Sequence, residues 1–204
     1  SGEYVMLCGN DDIINPKAIN TILTKIKKYK PTVIVRSYES FNEIEGKEVQ
    51  IHRYVRKDLS IENKSSKELA WLFYRSVLVS GLVLNAKLAK KYSTQSVDGF
   101  LYYQNYISVC LFMEGNILYV PDLIVKNRLM PAGYFGTAAV EKNAVTIPGK
   151  RTIDSSINQM KNFFKCAEHA EKMLNEEFVS ELKKRAHEKN YLNAKPLEDY
   201  WRIG

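Results

Sequence analysis

Residues 3–12, EYVMLCGNDD, decide how this chain is read. Positions 4 to 8 are apolar enough for a buried strand, Gly9 ends the run, and Asn10, Asp11 and Asp12 stand side by side after it. Neighbouring carboxylates are costly inside a core. They belong at its rim, where an α/β sheet offers ligands the crevice beyond its strand ends. A hard cation such as Mg²⁺ or Mn²⁺ takes one or two carboxylates there, with phosphate oxygens and water completing its shell. Asp12 and Asp11 are thus candidate metal ligands. Negative charge also suits the approach to a helix N-terminus, and the residues alone leave both readings open.

The residues after the acids support a sheet. Asn15 and Pro16 pair a capping side chain with a proline suited to a first helical position. Ile19, Ile22, Leu23 and Ile26 then form one helical stripe, lysines fill the last turn, and Pro31 closes it. Residues 32–38, TVIVRSY, read as the next strand, so that strand, helix and strand make a βαβ unit with a parallel pair. Residues 49–55 alternate as a half-wet strand, and Ser65 to Glu68 is a capping box opening a helix. Residues 80–85, SGLVLN, read as a short buried strand with Asn85 capping a lysine-rich turn. An apolar helix over residues 99–116 stops at Gly115. Two extended pieces flank Pro121, residues 130–151 form a long glycine-bearing connection, and residues 152–190 read as helical.

The bulk composition narrows the classes. The chain has 204 residues, 45% of them hydrophobic, which supports a packed core and argues against disorder. Its net charge of +7 favours phosphate-bearing partners without choosing among them. No stacking platform or helix-turn-helix pattern accompanies that charge, so nucleic acid is not the expected partner. Cys8, Cys110 and Cys166 stand far apart with no CxxC, the pattern of free thiols in a cytoplasmic protein. His52, His169 and His187 have no neighbours at ligand spacing.

The run SGEYVMLCGNDDIINPKAI resembles the segment of family-two glycosyltransferases in which a strand enters a DxD-type acidic motif. VSGLVLNAKLAKKY, FLYYQNY and EGNILYVPDLIVKNR, in that order, are similar to the acceptor half of the same enzymes, those of bacterial surface-polysaccharide synthesis above all. The resemblance covers residues 1 to about 151. It implies a GT-A fold: an α/β chain with a partial GT-A-like mixed sheet flanked by helices and a long C-terminal helical segment. Residues 1–150 would hold the acidic strand and acceptor half, and residues 151–204 a helical extension. The implied reaction is inverting transfer of a sugar from a nucleotide-diphosphate donor to a hydroxyl of a saccharide or lipid-linked saccharide.

By position, the resemblance puts Asp12 on the metal, with Asp11 assisting it or contacting the donor. Asn10, a further donor-binding candidate beside Asp11, stands where many relatives carry another Asp. Arg128, Lys150 and Arg151 become donor-binding candidates, as guanidinium and ammonium groups suit a diphosphate. Tyr134 and Phe135 fall where a lid would lie. The family's general base, a Glu-Asp pair at the start of the helix ending near Gly115, is replaced here by Tyr102, Tyr103 and Gln104. Asp98 is the nearest substitute base; it equally suits a helix N-cap. A non-catalytic binding or assembly module is the alternative that the missing pair keeps open.

The resemblance also implies that the N-terminal, nucleotide-binding half of the fold is not in this chain. The opening strand is then expected at a sheet edge, or paired with another copy. Lys183, Lys184, Arg185 and Lys189 would let the last helix rest on the inner face of an anionic membrane.

Overall fold

The computed structural model describes residues 2–42, 47–128 and 153–187. Strand β1 (Tyr4–Met6) runs into the acidic turn, and a two-residue strand β2 (Ile13–Ile14) leaves it. Helix α1 (Ala18–Tyr29) comes next. Its N-cap is Lys17, without a side-chain bond, so the expected Asn15 cap and Pro16 first position are not formed. Asn15 instead makes the preceding turn, its Oδ1 accepting from the Lys17 N–H at 3.0 Å and its carbonyl from the Ala18 N–H at 2.8 Å. Strands β3 (Val33–Asn42), β4 (Lys47–His52) and β5 (Leu59–Ile61) precede helix α2 (Ser66–Arg75), whose Ser65 Oγ accepts from the Glu68 N–H. Strand β6 (Val83–Asn85) passes directly into helix α3 (Ala86–Lys91), with the Asn85 side chain accepting from the Leu88 N–H at 3.1 Å. Helix α4 (Tyr103–Met113), strand β7 (Ile117–Arg128) and helices α5 (Ile153–Leu174) and α6 (Val179–His187) complete the order.

The chain folds as two compact units. The first comprises Ser1–Lys64, Arg75–Ser93 and Ile107–Leu129 and carries the sheet. Its strand order is β1-β6-β3-β7-β2, with β4 also on β3 and β5 also on β7. Among the described strands, only β3 and β7 pair parallel. The expected parallel pair of β1 and β3 does not form. β6 lies between them, antiparallel to both, with Val83 opposite Met6 on one side and Ile34 on the other. Leu82, Val83 and Leu84 are buried, and an apolar strand of this kind needs neighbours on both sides. β1 is an edge strand, as expected.

α1 covers one face of this sheet. Ala18, Ile22 and Ile26 pack with Ile34, Val83, Leu118, Val120 and Ile124. The sequence stripe is rotated from this face: Ile19 and Leu23 stay 52% and 49% exposed. Tyr29 takes the inward place instead. Lys25, from the basic run ending α1, is not simply solvated, since its Nζ binds Asp58 at 2.8 Å and Asp122 at 3.6 Å. β7 is one continuous strand rather than two pieces; it stays paired with β3 through Pro121, with register shifts beside Arg36 and Ser37.

The second unit comprises Ser65–Tyr74, Thr94–Tyr106 and Met130–Gly204. Its core is aromatic: Phe73 meets Phe163 and Phe178 at centroid distances of 5.1 and 5.8 Å, and Tyr102 meets Phe163 edge-on at 5.1 Å. The helical stretch expected from residue 152 onward is broken at Asn175, which takes a left-handed φ of 54°. Glu171 then caps α6, its Oε1 accepting from the N–H groups of Phe178 and Val179 at 2.7 and 2.8 Å. Arg185 is buried and bound to Glu181 at 2.9 Å, so it does not belong to an exposed basic face; Lys183 and Lys184 are exposed. No described helix is long and apolar enough to cross a membrane.

Gly115 is required by close approach. A Cβ placed there would lie 2.5 Å from Cγ2 of the buried Thr32, whose N–H and Oγ both bond the Asn116 carbonyl. Gly115→Ala is expected to cost about 1–3 kcal/mol in urea unfolding. Thr32→Ser removes the offending methyl, so the double variant should recover part of the loss.

Candidate functional site

The site lies wholly in the first unit, around the turn between β1 and β2. Leu7 continues the ladder, its N–H donating to the Leu82 carbonyl at 2.9 Å and its carbonyl accepting from the Gly81 N–H at 2.8 Å. The chain then turns, and Asp12 reaches across to the end of β7. Oδ1 of Asp12 accepts from the Arg128 N–H at 2.8 Å and from Asn127 Nδ2 at 3.0 Å. Oδ2 accepts from Ser80 Oγ. That hydroxyl in turn accepts from the Gly9 N–H at 2.8 Å. One carboxylate therefore joins the end of β1, the approach to β6 and the end of β7.

A carboxylate offers about four acceptor positions. Among the described residues three of these are filled, two on Oδ1 and one on Oδ2. The remaining one is on Oδ2. Asp11 and Asp12 are both half-buried, and their oxygens converge on Gly9: a Cβ there would meet Asp11 Oδ1 at 3.0 Å and Asp12 Oδ2 at 3.4 Å. Among the described residues no group of three or more His, Cys, Asp or Glu could hold a metal ion. A cation held by two carboxylates must take its other ligands from phosphate and water. Mg²⁺ binds in that manner, so the donor set fits it.

The other sequence candidates fall on different elements. Asn10 is exposed in the turn. Arg128 ends β7, and its backbone N–H is one of the groups binding Asp12. Asp98 is exposed in the second unit, at the end of a 3-10 turn (Gln95–Val97). α4 begins only at Tyr103, so Asp98 is not its N-cap. Tyr102 is buried, with its hydroxyl accepting from Gln159 Nε2 at 2.9 Å, and Tyr103 accepts from the Thr94 N–H at 3.1 Å. Lys150, Arg151, Tyr134, Phe135 and the expected boundary at residues 150 and 151 lie outside the described residues. Slight burial and the charges of Asp12 and Asp11 push the Cys8 thiol up, against a hydrogen bond with Ser80 that lowers it.

Two contributors do not stand out in the sequence. Ser80 reads there as a break in an apolar run, yet it is buried and bridges Gly9 to Asp12. Arg36 is fully buried in β3, between Val35 and Ser37. Its Nη2 donates to the Leu78 carbonyl at 2.8 Å, and it lies within the electrostatic reach of Asp12. A signal for it exists: a lone arginine inside VIVRS contradicts a strand buried on both faces.

No family model matches the chain, and no curated protein matches it. Among solved structures it is similar to the crystal structure of S. aureus TarS, residues 1–349, in complex with UDP-GlcNAc. The TM-score is 0.51 at 11% identity, and the match covers 98% of this chain and 66% of the other. At this identity the likeness shows the fold. The chain has a glycosyltransferase-like fold, a partial GT-A-like mixed sheet flanked by helices, as expected. It spans about two-thirds of the length of the TarS chain.

Removing the Asp12 side chain strands three polar partners at once. Asp12→Ala is expected to cost about 2–4 kcal/mol in urea unfolding and Ser80→Ala about 1 kcal/mol. Because the two share a hydrogen bond, the double variant should lose less than the sum of the single losses.

Proposed function

We propose that the chain is the acidic-motif and acceptor-side part of a nucleotide-sugar-dependent glycosyltransferase, metal-assisted and inverting, acting in bacterial surface-polysaccharide synthesis. One observation carries the reading. Asp12 is held rigidly at a sheet rim with an acceptor position to spare, in a fold like that of a chain solved with UDP-GlcNAc. Mg²⁺ or Mn²⁺ would be held by Asp12 and Asp11. When bound, it supplies positive charge to the departing diphosphate.

The residues of the chain have distinct tasks. The Ser80, Asn127 and Arg128 contacts fix the direction of the Asp12 carboxylate before any ligand arrives. Arg128 is close to that carboxylate through its own backbone, and its side chain is a candidate for the diphosphate. In the transfer, the acceptor oxygen forms its bond to the anomeric carbon from the face opposite the leaving group. The carbon–oxygen bond to the diphosphate breaks, with the electron pair leaving on that oxygen. The acceptor proton passes to a carboxylate, and Asp98 is the candidate for this role. The acceptor is a saccharide or lipid-linked saccharide, and the setting is the cytoplasmic side of a membrane.

A binding or assembly module is the second reading, favoured by one specific observation. The helix start where the family keeps its acid pair is built here from Tyr102 and Tyr103, whose hydroxyls are engaged internally. Mn²⁺ titration separates the two. Asp12→Asn keeps the shape and most hydrogen bonds of the Asp12 network while removing its charge. The wild-type chain is expected to bind Mn²⁺, and the variant to lose it by about tenfold or more. Equal binding by both proteins contradicts the transferase reading.

A further inference from the structure

Beside the acidic turn, the first unit carries a continuous wall of rings and guanidinium groups. Tyr38 on β3 stacks on His52 of β4, directly opposite in register, with centroids 4.3 Å apart and planes 14° from parallel. Tyr54 meets Tyr38 edge-on at 6.1 Å. The Arg36 guanidinium lies 5.4 Å from the Tyr38 ring centre, and that of Arg75 lies 4.1 Å from the Tyr54 ring centre. Tyr38, His52, Tyr54 and Arg75 are all partly exposed, so the wall borders solvent.

Arg36 is the unusual member. It is fully buried, yet among the described residues its Nε and Nη1 have no hydrogen-bond partner. Gly81, with a φ of 76°, packs so closely that a Cβ would lie 3.0 Å from Nε. The Arg36 charge is therefore held beneath the Tyr38 ring and acts on the wall through its field. Among the described residues, the carboxylate whose charge reaches Arg36 is that of Asp12, which already accepts three hydrogen bonds. The next acidic residue along β3, Glu39, is buried and paired with Lys126. Burial, and then the charge of Arg75, holds His52 below the usual histidine range, so at neutral pH it adds aromatic surface without charge. An uncompensated buried guanidinium is expensive, and proteins retain such groups where an anion completes them.

We propose that Arg75 and the Tyr38–His52–Tyr54 wall, with the Arg36 charge buried beneath them, form a subsite for an anionic saccharide, a sugar whose phosphate or carboxylate meets the Arg75 guanidinium while its ring lies on the tyrosines. A guanidinium is suited to the planar oxygen pairs of such anions. Aromatic faces supply area for the C–H face of a sugar ring without demanding hydrogen bonds. The proposal rests on the glycosyltransferase reading and deepens it: the acceptor is acidic, and its charge is recognised by protein cations rather than by the cation on Asp12.

Isothermal titration of the full chain without metal tests this, using glucose 6-phosphate, glucose, glucuronate, inorganic phosphate and UDP as probes. Glucose 6-phosphate or glucuronate should bind while neutral glucose does not. Arg75→Gln and Tyr54→Ala, at partly exposed positions, should each weaken that binding by about threefold to tenfold, and Arg36→Gln, which removes the charge beneath them, by about threefold or more if it folds by circular dichroism. Asp12→Asn, which removes a negative charge near Arg36, should not weaken the binding. In a parallel titration with Mn²⁺, binding of UDP but of no sugar anion, lost in Asp12→Asn and kept in Arg75→Gln, overturns the subsite while sparing the transferase reading. Failure of every sugar anion at millimolar concentration, or equal binding by wild type and both surface variants, also overturns it. Arg75-dependent binding of glucose 6-phosphate in a chain that binds no Mn²⁺ upholds the subsite and removes the transferase reading instead. Inorganic phosphate binding as tightly as the sugar anions, with no loss in Tyr54→Ala, contradicts the role given to the rings.

Discussion

The Asp12 carboxylate is the constraint on which the rim of this sheet depends. β1 has three residues and β2 has two, too short to hold their places by ladder hydrogen bonds alone. The turn between them must pass from one edge of the sheet to the other, because β1 and β2 end the strand order on opposite sides. Asp12 fixes that passage by accepting from a backbone amide, a side-chain amide and a hydroxyl, groups brought from two other parts of the chain. Charge-assisted bonds of this kind are about twice as strong as neutral ones. The same interactions orient the acid for chemistry. A carboxylate free to rotate would have to be ordered by its ligand, at an entropic cost that this one has met during folding.

The electrostatics around the turn depend on the groups buried beneath it. Arg36 is enclosed by the strand that carries it, the Leu78 carbonyl, Gly81 and the Tyr38 ring. Burial holds its pKa below the ordinary arginine value, while the neighbouring tyrosines and Asp12 oppose the shift. The guanidinium remains a cation under all ordinary conditions. Its field favours negative charge along the turn and along the aromatic wall. Gly9 and Gly81 serve this arrangement in different ways. Gly9 leaves room where the two acids converge, and Gly81 takes a left-handed conformation against the Arg36 side chain.

The features legible in the sequence are those encoded locally. Ser65 and Asn85 each cap the helix start that their spacing predicts, Asn15 shapes the turn two residues ahead of the Lys17 N-cap instead, and Gly115 ends α4 where a side chain would strike Thr32. The acidic turn after the first strand is legible too, because carboxylates next to an apolar run have few places to go. Long-range pairing is not. The local pattern of β1, α1 and β3 fits a direct parallel pair, and nothing within it announces that β6, from residue 83, will separate the two strands. The face of α1 is hidden for the same reason: Ile19 and Leu23 satisfy the helical period as well as Ile22 and Ile26, and only the sheet decides between them. At the site, Asp11 and Asp12 stand out by charge. Ser80 and Asn127 do not, since a hydroxyl and an amide acquire meaning only when another segment places a carboxylate against them.

The most direct test of the central claim is amide hydrogen exchange at Arg128, whose N–H donates to Asp12 Oδ1. In the wild-type chain this amide should be protected to nearly the extent of the β3–β7 ladder. In Asp12→Ala its protection should fall by about tenfold or more, while Val35 and Tyr119 in the middle of the sheet exchange as before. An Arg128 amide that exchanges freely in the wild type, or is equally protected without the carboxylate, would show that Asp12 does not hold the rim of the sheet.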